Sequence, residues 1–175
     1  MRLLRPIVFG LVMALPGLVA AAQDVSALRQ HDVEQPIDIA ADRVEVREKQ
    51  NEALFEGAVE VRQGDMTLEA NSLTVFYNRD QQDRLTIERL DAEGNVVLRS
   101  ASETASGAWG IYDVASRLIT LGGDVQMTRG ESRIWGDRLE LNLENGLTTL
   151  DGASRREDRV KGRFQVPQKA QPTDQ

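Results

Sequence analysis

The chain has 175 residues, no cysteine, one histidine and a formal net charge of −7. That length allows one domain with a real core. The missing cysteines exclude a disulfide framework or thiolate site, and the acidic balance argues against a nucleic-acid partner.

Residues 1–22 read as a cleaved secretory signal: Arg2 and Arg5, an apolar run from Ile7 to Val19, then Ala20-Ala21-Ala22. The apolar run is short for a membrane span. No cysteine follows it, so a lipoprotein anchor is not expected. Loss of Arg2 and Arg5 leaves 19 basic against 28 acidic residues, a net −9. The mature chain is expected to be soluble and outside the cytoplasm. Residues 23–35 are polar and aperiodic and read as a flexible leader. His31 lies there, where a solvated role is expected rather than a catalytic or metal-binding one.

From Pro36 a period-two alternation begins and hardly stops. Ile37/Ile39, Val44/Val46, Val59/Val61, Leu73/Val75/Tyr77, Leu85/Ile87, Ile119/Leu121, Val125/Met127, Leu139/Leu141/Leu143 and Val160/Phe164/Val166 each share one parity. Such alternation describes strands with one apolar and one wet face. Turn signals punctuate it at Glu56-Gly57, Gln63-Gly64-Asp65, Asn78-Arg79-Asp80, Glu93-Gly94-Asn95, Gly122-Gly123-Asp124, Arg129-Gly130-Glu131, Asn145-Gly146 and Asp151-Gly152. Read as hairpins, they divide the chain into about fifteen short antiparallel strands. A second marker places a small residue and Asn or Asp before a strand: Ala41-Asp42, Ala70-Asn71 and Gly136-Asp137, with Ala105-Ser106 as a degenerate member. Residues 36–167 form the expected domain and 168–175 a disordered tail.

Residues 56–78 and 122–144 repeat one pattern without a gap, at an offset of 66. Gly57/Gly123, Val59/Val125, Gly64/Gly130 and Leu73/Leu139 are identical. Val61/Met127, Leu68/Ile134 and Val75/Leu141 keep their character. The repeat implies a β-sandwich or jelly roll with an interior of Val, Leu, Ile and Met, suited to aliphatic chains. Val59, Val61, Leu73, Val75, Val125, Met127, Leu139 and Leu141 are the expected walls of one apolar groove.

Catalytic chemistry is thin. No serine has a partner histidine in a strand context. Glu45, Glu60, Glu88 and Glu140 fall on outward positions. No GxxxxGK[ST] phosphate loop occurs. The expectation is a non-enzyme without metal or cofactor. Trp109 and Trp135 are expected to pack in the core or rim, the alternative being the mouth of the slot. Arg155, Arg156, Arg159, Lys161 and Arg163 form a local basic cluster, read as edge protection or a contact for an anion.

Together these features resemble the OstA-like/LptA family. The matching motifs are Gln35-Pro36-Ile37-Asp38-Ile39-Ala40-Ala41-Asp42, Phe55-Glu56-Gly57-Ala58-Val59, Gln63-Gly64, Ala70-Asn71 before Leu73-Thr74-Val75, Tyr112-Asp113-Val114, Leu121-Gly122-Gly123-Asp124-Val125, and Arg159-Val160 running to Val166-Pro167. The resemblance implies an incompletely closed, V-shaped, all-β antiparallel jelly roll of about sixteen short strands. It implies a bridge carrying lipopolysaccharide from inner to outer membrane, with lipid A acyl chains inside. Ile37, Ile39 and Tyr112 correspond to its lipid-lining positions, and Leu98 stands near another. Implied partners are an LptC-like inner-membrane protein at the N-terminal edge, an LptD-like translocon at the C-terminal edge, and further copies head to tail. Ile37, Ile39, Val160, Phe164 and Val166 would form the pairing edges. Two other readings remain: a secreted scaffold pairing through strand edges without lipid, and a glycan-active β-helix enzyme, which the hairpin turns and scattered acids disfavour.

Overall fold

The computed structural model describes residues 32–153 and 159–165. The expected signal segment, His31, Arg155, Arg156, Val166 and the tail lie outside them.

Ten strands are present among the described residues: β1 Asp38–Ala40, β2 Arg43–Arg47, β3 Glu52–Gln63, β4 Met66–Arg79, β5 Leu85–Arg99, β6 Glu103–Asp113, β7 Leu118–Arg129, β8 Ser132–Asn142, β9 Thr148–Asp151 and β10 Lys161–Arg163. A one-turn 3₁₀ helix, Glu48–Gln50, joins β2 to β3. All pairings are antiparallel, in the order β1-β3-β4-β5-β6-β7-β8-β10. At one edge β1 and β2 share β3, and at the other β9 and β10 share β8. The sheet does not close on itself: an open, all-β antiparallel jelly roll.

The strands are fewer and longer than the turn signals suggest, and the reason is local. Gly57, Gly94 and Gly123 do not make hairpins. Each begins a bulge in mid-strand, and both bulge residues have positive φ: Gly57-Ala58 at 80° and 42°, Gly94-Asn95 at 76° and 50°, Gly123-Asp124 at 76° and 52°. The register shifts there in β3–β4, β5–β6 and β7–β8. A Cβ on Gly57 would lie 2.4 Å from Asp42 Oδ2, and one on Gly94 2.5 Å from Asn71 Nδ2. The two sequence markers are therefore facing partners in one line of bulges across the sheet. The degenerate member is Ala108, which faces Gly123, rather than Ala105-Ser106. Counting the long strands β3 to β8 as the segments on either side of this line restores the expected sixteen.

True two-residue hairpins occur at Gly64-Asp65 and Gly130-Glu131, both glycines at φ 55°. The 66-residue repeat thus relates the β3–β4 hairpin to the β7–β8 hairpin.

The line of bulges divides the sheet into two layers with facing inner surfaces. Three unbroken rows of cross-strand neighbours cross them. In the layer holding the Gly64 and Gly130 hairpins, Ile39, Val61, Leu68, Leu98, Ala105, Met127, Ile134 and Gly162 follow one another. In the other layer, one row runs Val44, Phe55, Leu73, Ala92, Gly110, Leu121, Leu139, Leu150. The next runs Val46, Ala53, Val75, Leu90, Tyr112, Ile119, Leu141, Thr148. Burying one such Leu or Ile contributes about 2–3 kcal/mol. Glu45, Glu60, Glu88 and Glu140 lie on the outer surface, each beside an arginine or amide. Glu45 meets Arg43 and Arg47 at 2.8 and 3.0 Å, and the Arg47 hydrogen bond holds its carboxyl below the usual range. Glu60 pairs with Arg62, Glu140 with Arg138, and Glu88 accepts from Asn78.

Candidate functional site: an apolar interior open at one edge

The centre of the interior is densely packed. Val59, Leu73, Val96, Ile119, Leu121, Val125, Leu139 and Leu141 are all but inaccessible to solvent. Among the sequence-derived groove residues, Val61, Val75, Leu98 and Tyr112 join this core, and Ile37, Ile39 and Met127 pack partly buried against it.

A single buried glutamine ties the closed side together. Gln63 Nε2 donates to the carbonyls of Val33 and Gln35, at 2.9 and 3.0 Å, and Gln63 Oε1 accepts from the Tyr112 hydroxyl at 3.1 Å. Gln63 and Tyr112 belong to opposite layers, so this bond spans the interior. It also anchors Val33–Gln35, part of the stretch expected to be a flexible leader. Burial pushes the Tyr112 phenol above its usual pKa, against the opposing charge of Arg117.

Among the described residues the far edge is open. Between β7–β8 and β9, a groove of about 490 Å³ is lined by Met127, Ile134, Leu147, Leu150 and Phe164, with Arg129 as its charged wall. That size lies within the range of small-molecule sites. Leu147 and Phe164 are 62% and 67% exposed while lining it. Met127 is the one expected groove residue that reaches this opening. Ile134, Leu147 and Leu150 were missed. Ile134 was visible in the repeat as the counterpart of Leu68, whereas Leu147 lies in a turn without alternation. At the opposite edge the inner rows end in Val44 and Val46, 53% and 59% exposed.

The last strand is shorter than expected. Val160 and Phe164 flank β10 instead of lying within it, and both are exposed. Neither tryptophan lines the slot. The Trp109 ring lies over Gly122, where any Cβ would overlap it, and Trp135 donates to Gln126 at 3.0 Å. Their strand partners Glu93 and Lys161 place both on the outer face. In the basic cluster, Arg159 and Lys161 border an outer pocket with Asp124 and Asp137.

Residues 38–147 match the family of the LptA/(LptD N-terminal domain) LPS transport protein. The chain belongs to this family. The chain is 31% identical over 157 residues to the uncharacterized protein R00383 of Rhizobium meliloti, covering 85% of this chain and 84% of that one. It is 39% identical over 75 residues to the lipopolysaccharide export system protein LptH of Pseudomonas aeruginosa, covering 43% of this chain and 39% of LptH. The match therefore spans well under half of LptH. The fold is similar to the crystal structure of LptH, the LptA homologous periplasmic component of a lipopolysaccharide transport device. There the TM-score is 0.66 at 21% identity, over 78% of this chain and 99% of that one.

Proposed function

We propose that the protein is a periplasmic, non-enzymatic segment of a lipopolysaccharide bridge. It holds lipid A acyl chains against its inner face while sugars and phosphates stay in water. The observation that carries this reading is the three inner rows. They are largely apolar across the sheet, two of them begin in the exposed Val44 and Val46 at β2, and beside their other ends the exposed Leu147 and Phe164 flank β9 and β10. Exposed apolar patches of this kind are interaction sites. A chain of net −7, or −9 without the expected signal segment, repels an anionic headgroup at long range, so affinity rests on apolar burial, with Arg129 as a local counter-charge.

The same edges serve assembly. β1 and β2 accept an LptC-like inner-membrane partner, β9 and β10 an LptD-like outer-membrane translocon, and copies of the chain pair head to tail through both. A photocrosslinking residue at Leu147 or Ile37 is expected to capture lipopolysaccharide in cells. Silence at both positions, in protein that supports growth, would sink the lipid reading. Proline at Phe164 is expected to weaken concentration-dependent oligomers in size-exclusion profiles while leaving monomer melting unchanged.

A further inference from the structure

Behind the open groove lies a second, much smaller cavity of about 10 Å³, bounded by Leu98, Ser100, Glu103, Ala105, Met127, Leu139, Leu141 and Thr148. Met127 and Thr148 line both spaces and are the wall between them. The cavity is otherwise aliphatic, yet it contains a cluster of buried polar atoms. Glu103 is 5% exposed and forms an ion pair with Arg129 through Oε1. Its Oε2 has no hydrogen-bond partner among the described residues, and neither have Ser100 Oγ and Thr148 Oγ1. Glu103 and Ser100 come from one layer and Thr148 from the other, so the atoms face each other across the seam.

Buried polar groups are nearly always paired, because each unpaired one forfeits its hydration without return. The cavity is at the lower limit for one water. An apolar seam would close at this place more tightly with Leu and Val. The atoms present make the opposite choice: a carboxylate that can only accept, beside two hydroxyls that can donate or accept.

We propose that Ser100, Glu103 and Thr148 form a hydrogen-bonding subsite for a hydroxyl group borne on an aliphatic chain. The chain lies in the groove along Met127, Ile134 and Leu150, and its hydroxyl reaches past Met127 into the small cavity, which has room for that group alone. Its hydroxyl donates to Glu103 Oε2 and accepts from Thr148 or Ser100. Met127 is the movable part of the wall, since an unbranched thioether changes rotamer at little cost. Arg129 balances the Glu103 charge from the groove side and leaves Oε2 available. The subsite discriminates by chain chemistry: a plain chain of the same length leaves the three atoms unpaired. This inference rests on the acyl-groove reading above and specifies which acyl chains the groove prefers.

The test compares neutral sugar amphiphiles that share one headgroup and one saturated chain. One chain is unsubstituted, and in the others a single hydroxyl is moved along the chain carbon by carbon. Binding to wild type is measured by titration calorimetry. One hydroxyl position is expected to bind about tenfold more tightly than the plain chain, a difference of about 1.4 kcal/mol. In Thr148→Val, which keeps the side-chain shape, that ratio is expected to shrink. In Glu103→Leu it falls to near one, and Glu103→Gln, which retains an acceptor, restores part of it. Thr148→Val also raises the melting temperature of the free protein, because one orphan hydroxyl is gone, and this reading stands even if Glu103→Leu fails to fold. Equal affinities along the whole series, or a preference that survives Thr148→Val and Glu103→Leu, would overturn the subsite while leaving the groove intact. No binding by any amphiphile would overturn the groove and the subsite together.

Discussion

The middle of the inner face and its β9–β10 edge are made of the same side chains and behave in opposite ways. Leu121 and Leu139 are all but inaccessible to solvent, while Leu147 and Phe164, on the same inner side, are more than half exposed. The difference is in cover, since residue type is shared. At the centre a full layer lies opposite. At the edge β9 has four residues, β10 has three, and among the described residues none covers the space between them. An alternating strand pattern thus makes core where two layers meet and binding surface where they part. A single sheet folded along a line of bulges contains both.

The sharpest way to break that comparison is to truncate one leucine from each region. Leu121→Ala removes a fully buried side chain from a packed interior and is expected to cost about 2–5 kcal/mol in urea denaturation. Leu147→Ala is expected to fall within about 0.5 kcal/mol of wild type, as exposed positions do. Equal losses at the two sites would mean that the groove is closed in solution.

The next effect concerns the fold line that brings the layers together. Gly94→Val places a Cβ against Asn71 at a backbone φ of 76°, and is expected to destabilise by about 1–3 kcal/mol or more. Gly130 has φ 55° but nothing within 4 Å of its Cβ position. Gly130→Asn, a residue that tolerates that conformation, is expected to cost a few tenths of a kcal/mol. If both substitutions cost the same in thermal melts, crowding at the bulge is not what shapes the corner.

Alternation, repeat and parity were legible in the sequence, and with them the inner face of Val59, Val61, Leu73, Val75, Ile119, Leu121, Val125, Leu139 and Leu141; in β5 the alternation of Leu85 and Ile87 pointed to the wrong parity, since a register shift opposite Phe76 and Tyr77 turns Leu90 and Ala92 inward. The bulges were not, because Gly-Asn and Gly-Asp serve equally for a hairpin turn and for a mid-strand bulge with two positive φ values. Only pairing decides: Glu93 and Val96 both find partners on β6, so Gly94-Asn95 cannot reverse the chain. The position of the opening was also hidden. Val125 and Met127 read alike, yet one lies beneath a layer and the other at its rim. Leu147 carried no periodic signal, since turn geometry aims it into the groove. Glu103 carried no signal in the sequence, and its burial follows from the facing layer.

A third comparison tests the bond that closes the other side. Gln63→Met keeps the volume but leaves the Val33 and Gln35 carbonyls and the Tyr112 hydroxyl without this partner. A loss of about 1–3 kcal/mol is expected, with faster amide exchange along β1, which follows the anchored segment. Tyr112→Phe removes only the hydroxyl and is expected to cost about 1 kcal/mol at neutral pH. Its pH dependence is more telling. Burial raises the folded-state pKa of Tyr112 above the unfolded value near 10. The stabilising contribution is therefore complete below about pH 10, where both states hold the proton, and declines as pH rises from there through the folded pKa. Wild type should lose stability in that alkaline window relative to Tyr112→Phe, so that the gap between them narrows. A gap that stays constant up to strongly alkaline pH would mean that the phenol is hydrated, and that the interior is open on this side as well.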